Sequence, residues 1–394
     1  MLKKYLFILI LLYSCIEPYN FEGQETRKIL VIDATVTNLP GEQMVRLEYS
    51  YELDGVDPEF VTGASVFITD NLGNSEPFME VGSGLYQPDP SFVGIVGRHY
   101  QLTIETSEGT QYQSSQEELL EPATIDNIYG QFLALRSETS DGFDRGVQFL
   151  VDIDGVDENI HNYRFEYVKD YEIEVPYGSL LVYNAETNTI DPREPSIKLC
   201  YIKEPSETLD IATTSGQTTN VLREYPIVFL SEDEPDLLGK FSLTLKNYRI
   251  SSAAYQYYKD LKENNESAGS FFDRQKGSLV GNIQNTSDLS EPVLGYFEVA
   301  GITETYQIFE AGTWRDEGFR ADAILGGCAN LIDTVQTIDI LNGNVDFGTN
   351  LIYNFASTEA ILEETGYNVQ TLLIPNTCAD CRIYGTLQKP EFWD

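Results

Sequence analysis

The stretch Val45-Arg46-Leu47-Glu48-Tyr49-Ser50-Tyr51 decides the fold class. Apolar or aromatic residues at odd positions alternate with polar ones at even positions. A period of two sends successive side chains to opposite faces, so the segment reads as a half-buried β-strand. The same pattern repeats outward from it. Upstream, Lys28–Val36 is β-rich and stops at the turn Asn38-Leu39-Pro40-Gly41. Downstream, Ala64–Thr69 runs into the turn Asp70-Asn71-Leu72-Gly73-Asn74. Tyr100, Leu102 and Ile104 then alternate with Gln101, Thr103 and Glu105 before Ser107-Glu108-Gly109 turns the chain into Tyr112. Short strands with turn signals every 8–12 residues or so predict a β-sandwich. We place it at residues 27–118.

Leu119-Leu120-Glu121-Pro122 marks the crossing into a second β-rich domain, residues 119–394. Strands are expected at Val147–Ile153, Tyr163–Val168, Leu180–Tyr183, Lys198–Ile202, Tyr225–Leu230 and Phe241–Tyr248. One helix interrupts them, from Ser251 to about Asn264. Ser251 or Ser252 serves as its N-cap, and Ala254, Tyr255, Tyr258 and Leu261 line one face. A shorter helix is expected from Ser357 to Thr365. No internal repeat of 20–50 residues interrupts this reading.

Composition narrows the function. The 394 residues are 42% hydrophobic and 12% aromatic, which excludes wholesale disorder. The 25 basic and 63 acidic residues give a formal charge of −38, a surface that repels phosphate backbones, so nucleic acid is not an expected partner. Only two histidines, His99 and His161, are present, which removes most His-based catalysis. There is no G-x-S-x-G, H-E-x-x-H, Walker or G-x-G-x-x-G pattern. No catalytic residue, cofactor or metal is expected, and the chain does not read as an enzyme.

The amino terminus says where the chain goes. Lys3 and Lys4 precede the apolar run Leu6–Leu12, which is too short for a ~30 Å bilayer core and fits a signal-peptide h-region, residues 1–14. Leu12-Tyr13-Ser14-Cys15 resembles a bacterial lipobox. Cys15 is therefore the expected lipidation site, with residues 15–26 as a tether. Two or more acyl chains, at about 0.8 kcal/mol per buried CH₂, would hold the protein stably on a membrane.

Four cysteines remain: Cys200, Cys328, Cys378 and Cys381. In an exported chain an even number favours two disulfides, and three pairings are open. A redox C-x-x-C pair at Cys378-Ala379-Asp380-Cys381 and a four-cysteine zinc site are the competing readings. The first lacks a βαβ unit and the second lacks another C-x-x-C. The acidic turn Asp152–Asp157 has calcium-like carboxylates but not the EF-hand spacing, so a solvated turn is the simpler reading. Ser231–Asp236 reads the same way. Tyr255, Tyr257, Tyr258, Trp314 and Trp393 are the aromatics from which a glycan platform would be built, although most aromatics of a β chain pack in its core.

Several segments together carry a family likeness. They include Cys15-Ile16-Glu17-Pro18, Ile29–Asn38, Thr62-Gly63-Ala64-Ser65-Val66, Gly84-Leu85-Tyr86, Asn162–Tyr167 and Cys200-Tyr201-Ile202. Further along come Ser267–Asp273, Pro292–Phe297, Cys378–Arg382 and Lys389-Pro390-Glu391-Phe392-Trp393. The chain resembles the Bacteroidota lipoproteins known as domain of unknown function 4249. The resemblance implies an immunoglobulin-like first domain, a larger β-rich second one, exposure at the cell surface and association with TonB-dependent receptor-like barrels. It assigns no catalytic residues. The expected role is thus a non-catalytic accessory subunit of such a barrel, in uptake or envelope assembly. Capture of a glycan or peptide is the second expectation.

Overall fold

The computed structural model describes residues 28–50, 59–136, 142–155, 161–267, 279–319, 328–355 and 370–393. The leader, Cys15, the tether, Tyr51 and the expected helix Ser357–Thr365 lie outside these. The chain is mainly β and sandwich-like, as its alternation predicts.

In the amino-terminal sandwich, Leu30–Thr37 pairs antiparallel with Met44–Tyr49, which continues to Leu85–Gln87. The facing layer holds Ser65–Asp70, His99–Glu105 and Gln111–Ser114. Ser75–Gly82 passes from one layer to the other, pairing first with Ser65–Asp70 and then with Leu85–Gln87. The inward phase is apolar in both layers: Leu30, Ile32, Ala34, Val36, Val45 and Leu47 meet Val66, Ile68, Tyr100, Leu102 and Ile104. Each buried Val, Leu or Ile among them contributes about 1.5–3 kcal/mol.

Two strands from far along the chain complete this body. Ile283–Asn285 pairs with Gln111–Ser114, and the first half of Val293–Phe309 runs parallel to Leu30–Thr37. Phe297 and Val299 sit in the same core. The unit expected at residues 27–118 therefore takes strands from beyond residue 118. The close approach at this seam requires Gly295: its φ is +104°, and a Cβ there would lie 1.8 Å from the Ile32 carbonyl oxygen.

The second half of Val293–Phe309 pairs with Phe241–Ile250, which pairs with Asn162–Glu174, which pairs with Leu199–Pro205 at the edge. One 15-stranded sheet thus runs through both sandwiches. Against its second part packs a three-stranded sheet, Thr124–Arg136, Phe143–Asp154 and Val221–Ser231. Between them lie Val147, Phe149, Val151, Tyr163, Phe165, Phe241, Leu243 and Leu245, closed off by Trp314 and Phe319. A third lobe at the carboxyl end combines the hairpin Leu181–Asn184/Thr189–Pro192 with the strands Asp333–Gln336, Asn350–Phe355 and Gln370–Pro375.

Candidate functional site

The strand Asn162–Glu174 builds the site through its alternation. Tyr163, Phe165 and Tyr171 point into the core. Arg164, Glu166, Val168 and Asp170 take the opposite phase and lie on the outer face. Their register partners on the next strand are Tyr248, Lys246, Thr244 and Ser242. An antiparallel sheet normally leaves such a face to water. Here both ends of it are covered and the middle is open.

The helix Ser252–Ser267 covers one end. Ser251 caps it, its Oγ accepting the Ala254 N–H at 3.1 Å. Ala254 and Tyr257 pack with Tyr248, Ile250, Tyr296, Ala300 and Ile302. Beneath the helix, the Arg164 guanidinium donates twice to Glu298, Nε at 3.0 Å and Nη2 at 2.7 Å. It also lies 3.8 Å from the Tyr248 ring centroid. Burial disfavours the Arg164 charge, but the Glu298 carboxylate overrides it and holds the guanidinium well above its ordinary pKa. This end is a satisfied ion pair under a lid.

The carboxyl-terminal tail covers the other end. Trp393 is 1% exposed, and its indole Nε1–H donates to Ser242 Oγ at 3.0 Å. Its ring meets Tyr201 edge-on at 5.8 Å, and Phe392 lies 4.7 Å from Tyr306. The tail also occupies the sheet edge: Tyr201 and Thr386 exchange backbone hydrogen bonds of 2.8 and 2.9 Å. Gly385 permits this, since a Cβ there would sit 2.5 Å from the Tyr201 carbonyl oxygen.

Two hollows open between these covers. The smaller, about 290 Å³, lies over Glu166, Val168, Thr244 and Lys246, walled by the Pro205–Leu209 loop. The larger, about 680 Å³, has Asp170 at its floor and Tyr201, Lys203, Tyr384, Gln388 and Phe392 around it. That volume falls in the range of small-molecule sites. Asp170 is 4% exposed, and no hydrogen-bond donor among the described residues reaches its carboxylate. Desolvation pushes its pKa up, opposed only by the charge of Lys203, its register partner.

The residues singled out from the sequence fall elsewhere. Cys200 pairs with Cys381 and Cys328 with Cys378. The two cysteines of the C-x-x-C motif thus belong to different disulfides, which sets aside the redox pair and the zinc site. The first bridge ties the edge strand Leu199–Pro205 to the start of the tail, so it anchors one wall of the larger hollow. In the acidic turn, Asp154 is paired with Arg223, and Asp152 accepts the Glu224 N–H at 2.8 Å. Asp157 lies outside the described residues, among which no group of three or more potential metal ligands is found. In Ser231–Asp236, Asp236 bonds Lys169 at 2.5 Å.

His161 is buried, with Nδ1 2.9 Å from the Tyr163 hydroxyl, and His99 lies 3.9 Å from Glu118. Trp314 and Trp393 are core residues and Tyr257 is buried under the helix, the packing expected of most aromatics in a β chain, so no glycan platform is built from their faces. Asp170 and Lys203 were not singled out. In the sequence they occupy the polar phase of two strands, as any solvated residue would, and nothing local announces that a distant tail will roof them.

Comparison with known proteins adds little chemistry. No curated protein matches the chain. Among solved structures, a DUF4785 family protein from Legionella pneumophila aligns with 55% of this chain at 9% identity and a TM-score of 0.19; the chain spans about half of that protein, 51%. The sequence model described as domain of unknown function (DUF4249) matches residues 16–306, a span that takes in both sandwiches, the seam at Gly295 and most of the strands under the open face. The chain therefore belongs to the DUF4249 family.

Proposed function

We propose that the protein is a lipid-anchored outer-membrane protein of a Bacteroidota cell, displayed at the surface, that acts as a non-catalytic accessory subunit of a TonB-dependent receptor-like barrel. The observation that carries this reading is the cysteine pairing. Four of the five cysteines are joined in two disulfides, which persist in oxidising compartments outside the cytoplasm. The one left over is Cys15, placed directly after the apolar run and the Leu12-Tyr13-Ser14 triplet where an acylated cysteine belongs. The shared strand Val293–Phe309 joins the two sandwiches, which suits a docking subunit, since a preorganised surface loses little entropy on association.

The test is metabolic labelling with an alkyne fatty acid, followed by affinity purification from detergent-solubilised envelopes. The wild-type chain takes up the label, Cys15→Ser does not, and a barrel protein co-purifies. An unlabelled chain recovered free in periplasmic extract would sink the reading.

A further inference from the structure

The larger hollow on the outer face has a chemistry of its own, independent of anchoring or docking. Its floor is Asp170, a residue 4% exposed whose carboxylate meets no hydrogen-bond donor among the described residues and opens onto the hollow. A carboxylate that faces an open hollow without a protein donor keeps its acceptor capacity for water, or for a ligand that brings donors in its place. An apolar ligand would bring none. An anion would face the Asp170 charge at close range. A cation would meet Lys203, directly opposite Asp170 in the strand register, and Lys389 on the wall. Among the described lining residues, the charges of Asp170, Lys203, Lys389 and Glu391 sum to zero, in contrast to the −38 of the whole chain. A peptide adding itself as a strand needs a free sheet edge, and Thr386 already occupies the edge at Tyr201. What remains is a neutral ligand rich in hydroxyl groups, with an apolar face for the rings of Tyr201, Tyr384 and Phe392.

We propose that the hollow between the strand Leu199–Pro205 and the carboxyl-terminal tail is a binding site for a short neutral saccharide. Asp170 accepts its hydroxyl hydrogens at the floor. Lys203 and Gln388 donate to its oxygens at the rim. The 680 Å³ volume limits the ligand to a few sugar rings. Access is from the solvent side of the sheet, so binding requires no opening of either core.

The experiment uses the folded chain from Cys15 onward with both disulfides intact. Saturation-transfer NMR is run against maltose, cellobiose and N,N′-diacetylchitobiose at millimolar concentration, with arginine amide and trialanine amide as the cationic and peptide probes. At least one sugar shows transfer. Its affinity falls roughly tenfold or more in Asp170→Ala, the factor expected for one charged hydrogen bond. It falls also in Lys203→Ala, an exposed position that leaves folding untouched and serves if Asp170→Ala does not fold. Glu207→Gln, beside the smaller hollow, leaves it unchanged. Transfer from none of the sugars, or sugar binding indifferent to both Asp170→Ala and Lys203→Ala, overturns the proposal. Binding of arginine amide or trialanine amide in place of a sugar overturns it in favour of a cation or a peptide.

Discussion

Asp70 and Asp170 are almost equally buried, at 7% and 4% exposure, and they are opposites. Asp70 sits in a turn of the amino-terminal sandwich. Its carboxylate accepts the Leu72 and Asn74 N–H groups at 2.9 Å each, the Asn74 amide at 2.8 Å and Arg98 Nη1 at 2.6 Å. Those bonds, the Asn74 side chain first, hold its pKa at about 2. Asp170 sits on the outer face of the second sandwich with no donor among the described residues, and desolvation pushes its pKa up. Burial alone therefore does not tell a structural carboxylate from a functional one; the count of donors does. The first sandwich spends its buried acid on holding a turn. The second keeps one at the floor of a cavity, without a donor among the described residues and open to a ligand that brings one.

The largest effect should come from the tail wall. Replacing Cys200 and Cys381 together by Ser removes a crosslink between residues 181 apart in sequence, worth up to about 5 kcal/mol in the chain-entropy account. Urea denaturation should show that loss. Amide exchange should rise around Tyr201, Thr386 and Trp393 while the Asp70 turn stays protected. Equal exchange in both places would mean that the two regions are not separable.

Asp70→Ala should cost about 2–4 kcal/mol, because it deletes several bonds to one charge and leaves Arg98 without its partner. Denaturant titration measures it. A loss below about 0.5 kcal/mol would place Asp70 among ordinary surface acids and break the comparison.

The pH profile sharpens the contrast. Asp70 has a folded pKa depressed from 3.8 to about 2, so its stabilisation is complete above the unfolded value and is lost as pH falls between 3.8 and about 2. Asp70→Asn should lack that limb of the acid-unfolding curve. Asp170 has the opposite sign. Its raised pKa penalises the folded state at neutral pH, and the penalty fades as the group protonates on acidification. The smallest effect follows: Asp170→Asn should stabilise the chain at neutral pH by less than about 1 kcal/mol, with the gain disappearing in acid. A destabilising Asp170→Asn at neutral pH would show that the carboxylate has a donor after all.

How much of this was legible varies by element. Strands with one wet face were read directly, because alternation survives wherever one side meets water. Met44–Tyr49 and His99–Glu105 are examples, with burial alternating along each. Val293–Phe309, the longest strand among the described residues, was not legible. Its stretch from Tyr296 to Ile302 is buried on both faces, so the period of two vanishes into a continuous run. The helix was legible from its tyrosine spacing and its serine cap; which cluster it covers was not. That the four downstream cysteines pair was legible from their even number, whereas the partners were not, because loop spacing does not fix which Cβ atoms meet.

The sequence alone determined the strand-rich class, the strong negative charge, the short apolar run ahead of Cys15 and the cysteine parity, because each is local or compositional. The tertiary structure decided that a strand near residue 300 completes a sandwich begun near residue 30, which cysteines join, and that the segment from Tyr384 to Phe392 walls a hollow over an acid at residue 170. Those outcomes depend on contacts between distant segments. A polar residue in the outward phase of a strand looks the same in sequence whether water or another part of the chain lies above it.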